Sequence, residues 1–173
     1  MPVVDSRKSE FRCFCVLVVL LLLASSLAFA RDTFKPFTLK ALDGSPKTLR
    51  DYLDKATLVT FFFPTCGYCN GEFPHLQNLY DKYKDRGFVL VTINIMPEQN
   101  SMVADWQSTH KYTFPVLIGA RLETLQRDYD IRATPSHFLL DSKGKVILKQ
   151  TGYKAGDEKV LENSIEKALS STP

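Results

Sequence analysis

The feature that most constrains this chain is a buried-strand pattern that runs into a Cys-x-x-Cys pair. Residues 58–63 are apolar, β-branched or aromatic, and Pro64 ends the run two residues before Cys66. After Cys69, apolar residues recur at helical spacing, at Phe73, Leu76, Tyr80 and Tyr83. The N-terminus of a helix offers free backbone N–H groups and the positive end of the helix dipole, which both favour a thiolate over a thiol. The pattern therefore predicts a redox pair in which Cys66 is the nucleophile and Cys69 the resolving thiol.

Two other roles for the pair have weaker support. As a structural disulfide it would close a loop of only four residues, which contributes roughly 2 kcal/mol in the chain-entropy model. A closed zinc site needs four ligands, and the chain has no second Cys-x-x-Cys. His75, His110 and His137 do not have the spacing of a His-x3-5-His pair. We therefore predict redox chemistry that needs neither a metal nor a cofactor.

Residues 1–30 have the organisation of a signal peptide, and residues 31–173 are predicted to form a single domain. A basic start is followed by an apolar run at residues 14–24 and by Ala28-Phe-Ala30, which matches a small-x-small cleavage site. The alternative is an uncleaved membrane anchor, because the uncharged stretch is at the lower limit of the length that spans a bilayer. We expect an exported domain, free in a bacterial periplasm or anchored to the inner membrane.

Export changes the meaning of the cysteine count. The chain has four cysteines, and only Cys66 and Cys69 follow the predicted cleavage site. Exported proteins meet an oxidising compartment, where disulfides persist, so this domain would use its only cysteine pair for chemistry. The net charge is +3, and the basic residues are scattered without a long run, which gives no indication of nucleic-acid binding.

The remaining pattern predicts an α/β domain. A strand at 57–63, a helix at 67–85 with Pro74 inside it, and a strand at 88–95 make a βαβ unit with parallel strands. An alternative is that the helix starts only after Pro74, which would leave the cysteines in a loop. The other predicted elements are N-terminal strands at 37–42 and 47–49, a helix at 101–110 capped by Ser101, an apolar run at 114–118, a helix around 122–129, a hairpin at 137–140 and 145–150, and a last helix from Asp157.

This order of elements, with Cys-x-x-Cys after the first central strand, resembles the thioredoxin superfamily. Within it the chain is most similar to the exported TlpA/ResA-like branch of thiol-disulfide oxidoreductases, over roughly residues 34–169. The fragments that carry the resemblance are Phe37-Thr-Leu with Leu42-Asp-Gly44, Cys66-Gly-Tyr-Cys69 with Glu72-Phe-Pro74, Phe114-Pro-Val-Leu117, and Thr134-Pro135 with Phe138-Leu-Leu-Asp141, Gly144 and Gly152. It implies a thioredoxin-like fold: a central mixed β-sheet flanked by helices, with an N-terminal β extension.

The resemblance also implies roles for three residues outside the cysteine pair. Pro135 matches the family's cis-proline, which faces the cysteines, and with Thr134 it would bind an extended segment of the substrate. Glu72 matches an acidic residue that relays thiol protons, although an ordinary surface glutamate is the alternative. In thioredoxin itself a buried acid lies six residues before the first cysteine, and here that position is Thr60.

Three departures from the branch leave the direction of electron flow open. Thr65 replaces a usual tryptophan, Gly67 and Tyr68 replace a pair that often includes proline, and Cys-Gly-Tyr-Cys with Thr134 is similar to a periplasmic disulfide isomerase. We expect an enzyme that exchanges disulfides with protein thiol and disulfide substrates, in the reducing direction with a membrane electron donor. Isomerase or oxidase activity is the alternative.

The motifs of two other functions on the same fold match this chain poorly. The peroxiredoxin pattern Pro-x3-Thr-x2-Cys fails, because Val59 and Phe63 occupy its proline and threonine positions. Copper-handling proteins of the Sco type pair Cys-x3-Cys with a distal histidine, whereas this chain has Cys-x2-Cys. His137 follows Pro135 by two residues and would be the candidate copper ligand, but we expect it to be a solvent-facing residue at a strand start.

Overall fold

The computed structural model describes residues 33–171, which form a seven-stranded mixed sheet with helices on both faces. The strand order is β2-β1-β5-β4-β3-β6-β7. The strands are β1 (Thr38–Ala41), β2 (Pro46–Thr48), β3 (Ala56–Phe62), β4 (Phe88–Asn94), β5 (Val116–Ile118), β6 (Ser136–Asp141) and β7 (Val146–Thr151). The predicted α/β class, mixed sheet and N-terminal β extension are confirmed.

The centre of the sheet is the strand that leads to the cysteines. β3 pairs in parallel with β4 and antiparallel with β6, and all seven of its residues are buried. β5 continues the parallel part, while β1, β2 and β7 pair antiparallel at the two ends of the sheet. A strand buried on both faces reads as a continuous apolar run, which is the pattern found in the sequence.

Four α-helices cover the described part of the sheet. They are α1 (Gly67–Tyr83), α2 (Val103–His110), α3 (Leu122–Tyr129) and α4 (Asp157–Ser171), and short 3-10 turns span Leu49–Tyr52, Lys84–Arg86 and Pro97–Met102. α1 continues through Pro74, so the alternative of a helix that starts after this proline is wrong. None of the helices in residues 33–171 has the length and apolarity needed to span a membrane.

One predicted helix start is wrong. Ser101 was expected to cap the helix, but α2 begins at Val103 after Met102, and neither end residue supplies a side-chain cap. Pro97 is the reason, because it opens a 3-10 turn that already includes Ser101, and proline is preorganised for the first position of a helical turn. The targeting segment predicted at residues 1–30 lies outside the described residues.

The core consists of two clusters, one on each face of the sheet. Leu58 and Phe62 point to the face covered by α1 and α4, and Val59 and Phe61 point to the opposite face. This alternation follows from the two-residue period of a strand. α1, which carries the two cysteines at its start, is thereby fixed to the centre of the sheet.

Behind α1 lies a cluster of aromatic rings. Phe73 of α1 is fully buried, and its ring centroid is 5.0–5.9 Å from those of four other rings, in edge-to-face geometry. These neighbours are Phe62, Trp106, Tyr112 and Phe114. Edge-to-face aromatic pairs add to the energy of burial, so Phe73 couples the orientation of α1 to the core.

Replacing this ring should be severely destabilising. We expect Phe73→Ala to lower the free energy of unfolding by about 3–5 kcal/mol, because it removes a large buried side chain and leaves a cavity. Urea unfolding measures the change. Val160→Ala, at a position that is 54% exposed, is the control and should change stability by no more than about 0.5 kcal/mol. A loss below about 1 kcal/mol for Phe73→Ala would contradict this packing.

Candidate active site

The two cysteines lie at the N-terminus of α1, just beyond the end of β3. Cys66 is the N-cap residue of the helix and forms a disulfide with Cys69, with their Cα atoms 5.2 Å apart. The backbone N–H of Cys69 donates to the Cys66 sulfur over 3.1 Å. Cys66 is 4% exposed and Cys69 is completely buried. The reachable sulfur is therefore the one at the positive end of the helix dipole, where a thiolate is favoured.

Side chains from the neighbouring loop and helix hold the turn before Cys66. The side-chain amide of Asn70 donates to the carbonyl oxygen of Pro64 over 2.9 Å, and its oxygen accepts from Trp106 Nε1 over 2.9 Å. Gln99 accepts from the backbone N–H of Thr65 over 3.2 Å and donates to its hydroxyl over 3.0 Å. Thr65, at the position where the branch usually has tryptophan, is thus held by polar contacts with Gln99.

The Thr134–Pro135 peptide bond is cis, as the resemblance implies. The Thr134 hydroxyl lies 3.4 Å from the Cys66 sulfur, so this loop and the cysteines are adjacent although 68 residues separate them. The carbonyl oxygen of Pro135 accepts from the backbone N–H of Gly152 over 2.7 Å. No other described residue bonds to the backbone N–H of Thr134. An edge of backbone beside Cys66 is therefore available.

Glu72 does not lie on the surface. Its carboxylate is completely buried, and Oε2 is 2.9 Å from Nε2 of His137. The alternative of an ordinary surface glutamate is wrong, because Glu72 is three residues after Cys69 on the inward face of α1. Within residues 33–171 nothing donates a hydrogen bond to its other oxygen, Oε1.

His137 is the site residue that the sequence analysis missed. It was expected to face solvent, but it is completely buried, and both ring nitrogens are engaged. Nδ1 lies 3.0 Å from the Thr60 hydroxyl, and Nε2 contacts Glu72. The position of His137 in its strand was the available signal. Residues two apart in a strand point to the same face, so His137 shares with Leu139 the face that α1 covers, as Thr60 does with Leu58.

A third group reaches toward Glu72 from the loop before α4. The Tyr153 ring lies against Gly71, 3.7 Å from the position of a Cβ atom there. Partial burial and the nearby carboxylates of Glu158 and Glu72 raise the pKa of the Tyr153 phenol. Tyr153 therefore lies beside the turn of α1 that carries Glu72.

His137, the candidate copper ligand, is not free in this structure. His137 uses both ring nitrogens within the protein, and the two cysteines are joined in a disulfide. No group of three or more metal-binding side chains occurs in the described part of the chain. A disulfide beside a cis-proline loop, with a buried carboxylate one turn along the helix, is instead suited to thiol–disulfide exchange.

Comparison with known proteins agrees with this geometry. The family model described as Redoxin matches residues 29–165. The chain belongs to the Redoxin family. This redoxin is 29% identical over 141 residues to the thiol-disulfide oxidoreductase ResA of Halalkalibacterium halodurans, covering 82% of this chain and 78% of that protein. It is 32% identical over 124 residues to the sporulation thiol-disulfide oxidoreductase A of Bacillus subtilis, covering 70% and 74% respectively.

Solved structures give the same assignment. A protein from Chlorobium tepidum, assigned as the thiol:disulfide interchange protein DsbE, superimposes with a TM-score of 0.72 and 27% identity, over 80% of this chain and 96% of that one. The thioredoxin domain of a thiol-disulfide oxidoreductase from Bacteroides vulgatus gives a TM-score of 0.68 and 25% identity, over 79% and 95%. The predicted membership of the thioredoxin-like thiol-disulfide oxidoreductases is confirmed.

The two thiols of the reduced redoxin should differ in reactivity. We expect the Cys66 thiol, measured in Cys69→Ser, to titrate with a pKa below ~8.5 because of the helix N-terminus. The Cys69 thiol, measured in Cys66→Ser, should react more slowly because it is fully buried. Alkylation rates as a function of pH give both values. Faster alkylation of Cys69 than of Cys66 at neutral pH would reverse the two roles.

Proposed function

We propose that this redoxin is an exported enzyme that reduces disulfides in protein substrates through Cys66 and Cys69. The observation that carries the proposal is the Cys66–Cys69 disulfide at the mouth of α1, with the Thr134 hydroxyl 3.4 Å from the Cys66 sulfur. This arrangement combines an activated nucleophile, a resolving thiol within reach and an adjacent backbone edge. The names of the similar proteins support the same class of chemistry.

The reaction begins from the reduced enzyme. The Cys66 thiolate attacks one sulfur of a substrate disulfide, and the other substrate sulfur leaves with the electron pair and takes a proton from solvent. Cys69 then loses its proton and attacks Cys66, which breaks the mixed disulfide and releases the second substrate sulfur as a thiolate. The enzyme is left with its internal disulfide. A membrane electron donor would return the two electrons.

Glu72 is proposed as the acceptor of the Cys69 proton. It follows Cys69 by three residues on α1, which puts the two side chains on the same face of the helix. Because the site is buried, water cannot easily substitute for an internal base. Such assistance is typically worth ~10²–10⁴-fold in rate.

The surface around the cysteines suits a protein rather than a small thiol. Tyr68, between the two cysteines, is 71% exposed, and exposed aromatic side chains are common anchors in protein interfaces. The free backbone of Thr134 beside Pro135 can pair with an extended substrate segment. A folded or partly folded protein disulfide would contact both.

Trapping experiments test the function. We expect Cys69→Ser to accumulate a mixed disulfide with a protein substrate such as insulin, because the resolving thiol is absent, and Cys66→Ser to form none. The wild type should reduce insulin with dithiothreitol as the electron source. Failure of Cys69→Ser to trap any substrate would contradict the proposal.

The reduction potential decides the direction. Known pairs in this superfamily range from about −270 mV for a reductant to about −120 mV for an oxidant. Equilibration of the purified redoxin with glutathione gives its position in that range. A value near the upper limit would favour the oxidase alternative, and repair of a scrambled disulfide protein would favour the isomerase, for which Cys66-Gly-Tyr-Cys69 and Thr134 are the motivating residues.

Export is proposed from residues 1–30. If they are a signal peptide, mass spectrometry of the protein recovered from the periplasm should find Arg31 as its first residue, because cleavage follows Ala28-Phe-Ala30. The comparison variant is Ala30→Arg, which should block cleavage. Recovery of intact Met1 in the membrane fraction of the wild type would support the anchored form.

A further inference from the structure

We propose that His137 is a positioning residue that shares a proton with Glu72 and thereby sets the pH range in which Cys69 can be deprotonated. The inference rests on the proposed function, because it concerns the step in which Cys69 resolves the mixed disulfide. It goes beyond the role of Glu72 alone, since it makes the base a coupled pair rather than a single carboxylate.

The first support is a hydrogen-bonded chain that crosses from the sheet to the helix. Thr60 on β3 and His137 on β6 are directly opposite each other in the antiparallel register, and their side chains are 3.0 Å apart. His137 then reaches Glu72 on α1 over 2.9 Å. All three residues are completely buried. Two titratable side chains with no exposure to solvent therefore join β6 to α1.

Burial limits the charge states that this pair can adopt. An isolated charge in the interior is costly, and a buried ion pair is tolerated only when its remaining donors and acceptors are satisfied. One proton on the pair keeps it neutral overall, either as carboxylate and imidazolium or as carboxylic acid and imidazole. The two forms differ only by movement of a proton between Glu72 Oε2 and His137 Nε2.

Thr60 allows every one of these states. A hydroxyl both donates and accepts, so Thr60 can accept from a protonated Nδ1 or donate to a bare one. A carboxylate at this position, as in thioredoxin, could only accept while ionised and would add a further negative charge. The residue that departs from thioredoxin is thus the one that lets His137 gain and lose a proton without breaking the chain.

The second support is the unpaired oxygen of Glu72. Oε1 is buried, and no described residue donates to it, which is costly for a carboxyl oxygen. Cys69 is three residues earlier on the same face of α1, and its disulfide sulfur has no proton to donate. Reduction creates an S–H group there. The unpaired oxygen is thus explained if its partner exists only in the reduced enzyme.

The proton balance of the resolving step follows from this arrangement. When Glu72 is ionised and His137 is neutral, the pair carries one negative charge. Glu72 then accepts the proton of Cys69 as the Cys69 sulfur bonds to Cys66, and the bond from Cys66 to the substrate breaks with its electron pair on the substrate sulfur. The pair then holds one proton and is neutral. When it already holds that proton, a second would give it a net positive charge in the interior, so resolution slows as the pH falls.

Other titratable groups near the pair are few in the described residues. On α1 they are Cys66, Cys69 and, one turn beyond Glu72, His75. The loop before α4 contributes Tyr153, whose phenol has a raised pKa, and the first turn of α4 contributes Glu158, which lies 3.4 Å from the Tyr153 hydroxyl. On β7 the residue opposite His137 is Gln150, which does not titrate. His75 is the one other histidine among these groups, so its substitution is the control for His137.

The test is the pH dependence of resolution in His137→Gln. Glutamine can keep a donor toward Glu72 but cannot titrate. Stopped-flow measurement of substrate thiol release from the mixed disulfide should show, in the wild type, a fall in rate as the pH drops through the range of about 5–8 in which histidines titrate. The variant should lack that inflection. At pH values above the wild-type inflection, its rate of resolution should be roughly 10- to 100-fold lower than that of the wild type, near the lower end of proton-transfer assistance.

Three companion variants separate the explanations. His110→Gln, at an exposed position, and His75→Gln should both retain the wild-type inflection. Glu72→Gln should slow resolution at every pH while attack by Cys66 persists. If His75→Gln removes the inflection or if His137→Gln keeps it, the assignment to His137 is wrong. If Glu72→Gln resolves at the wild-type rate, the proposed role of Glu72 as proton acceptor is wrong, whatever the result for His137→Gln.

A second measurement does not depend on activity. The 15N shifts of the His137 ring, recorded at one pH in the oxidised and the dithiothreitol-reduced protein, should report a different proton occupancy in the two states. His110 is the internal reference and should not change. Identical His137 shifts in both states would overturn the inference, even if His137→Gln were too unstable for kinetics and even if substrate reduction were confirmed.

Discussion

The structure depends on the burial of β3 between β4 and β6. All residues of this strand are inaccessible to solvent, so its backbone groups must be satisfied by the two neighbouring ladders. Those ladders fix where the strand ends, and Cys66 follows at the end as the N-cap of α1. The reactive sulfur is therefore positioned by hydrogen bonds of the sheet, on the axis of a helix whose own N–H groups face it.

The same burial makes the polar groups beside β3 expensive. Thr60, His137 and Glu72 occupy a core that could have been filled by apolar side chains, and buried polar groups seldom contribute more stability than well-packed apolar ones. The chain accepts this cost next to the cysteines, where two titratable groups in hydrogen-bond contact exchange protons as a coupled pair. A polar cluster in this place is consistent with catalytic use rather than with a stabilising role.

Local sequence was sufficient for the α/β class and for the cysteines, whereas the thioredoxin-like fold was predicted from the family resemblance. The βαβ unit and the Cys-x-x-Cys pair depend on residues close together in the chain, and their periodicities of two and 3.6 residues are visible by inspection. Strand phase could have indicated the burial of His137, but not its partners, because they lie 77 and 65 residues away in the sequence. These contacts exist only because β6 pairs with β3 in one particular register. The prediction that Ser101 caps a helix was wrong for a local reason, because the 3-10 turn that opens at Pro97 includes this residue.

The two cysteines thus lie in opposite electrostatic surroundings. Cys66 is at the positive end of a helix and accepts an N–H from Cys69, and Thr134 adds a hydroxyl at 3.4 Å, so the structure stabilises its thiolate. Cys69 is enclosed next to a carboxylate that would oppose a negative charge on sulfur. In the reduced enzyme this difference keeps one thiol ready to attack and the other protonated until the mixed disulfide has formed. Attack of Cys69 on the mixed disulfide then needs an acceptor for its proton. In the mechanism proposed above, the protonation state of Glu72 and His137 decides whether that acceptor is present.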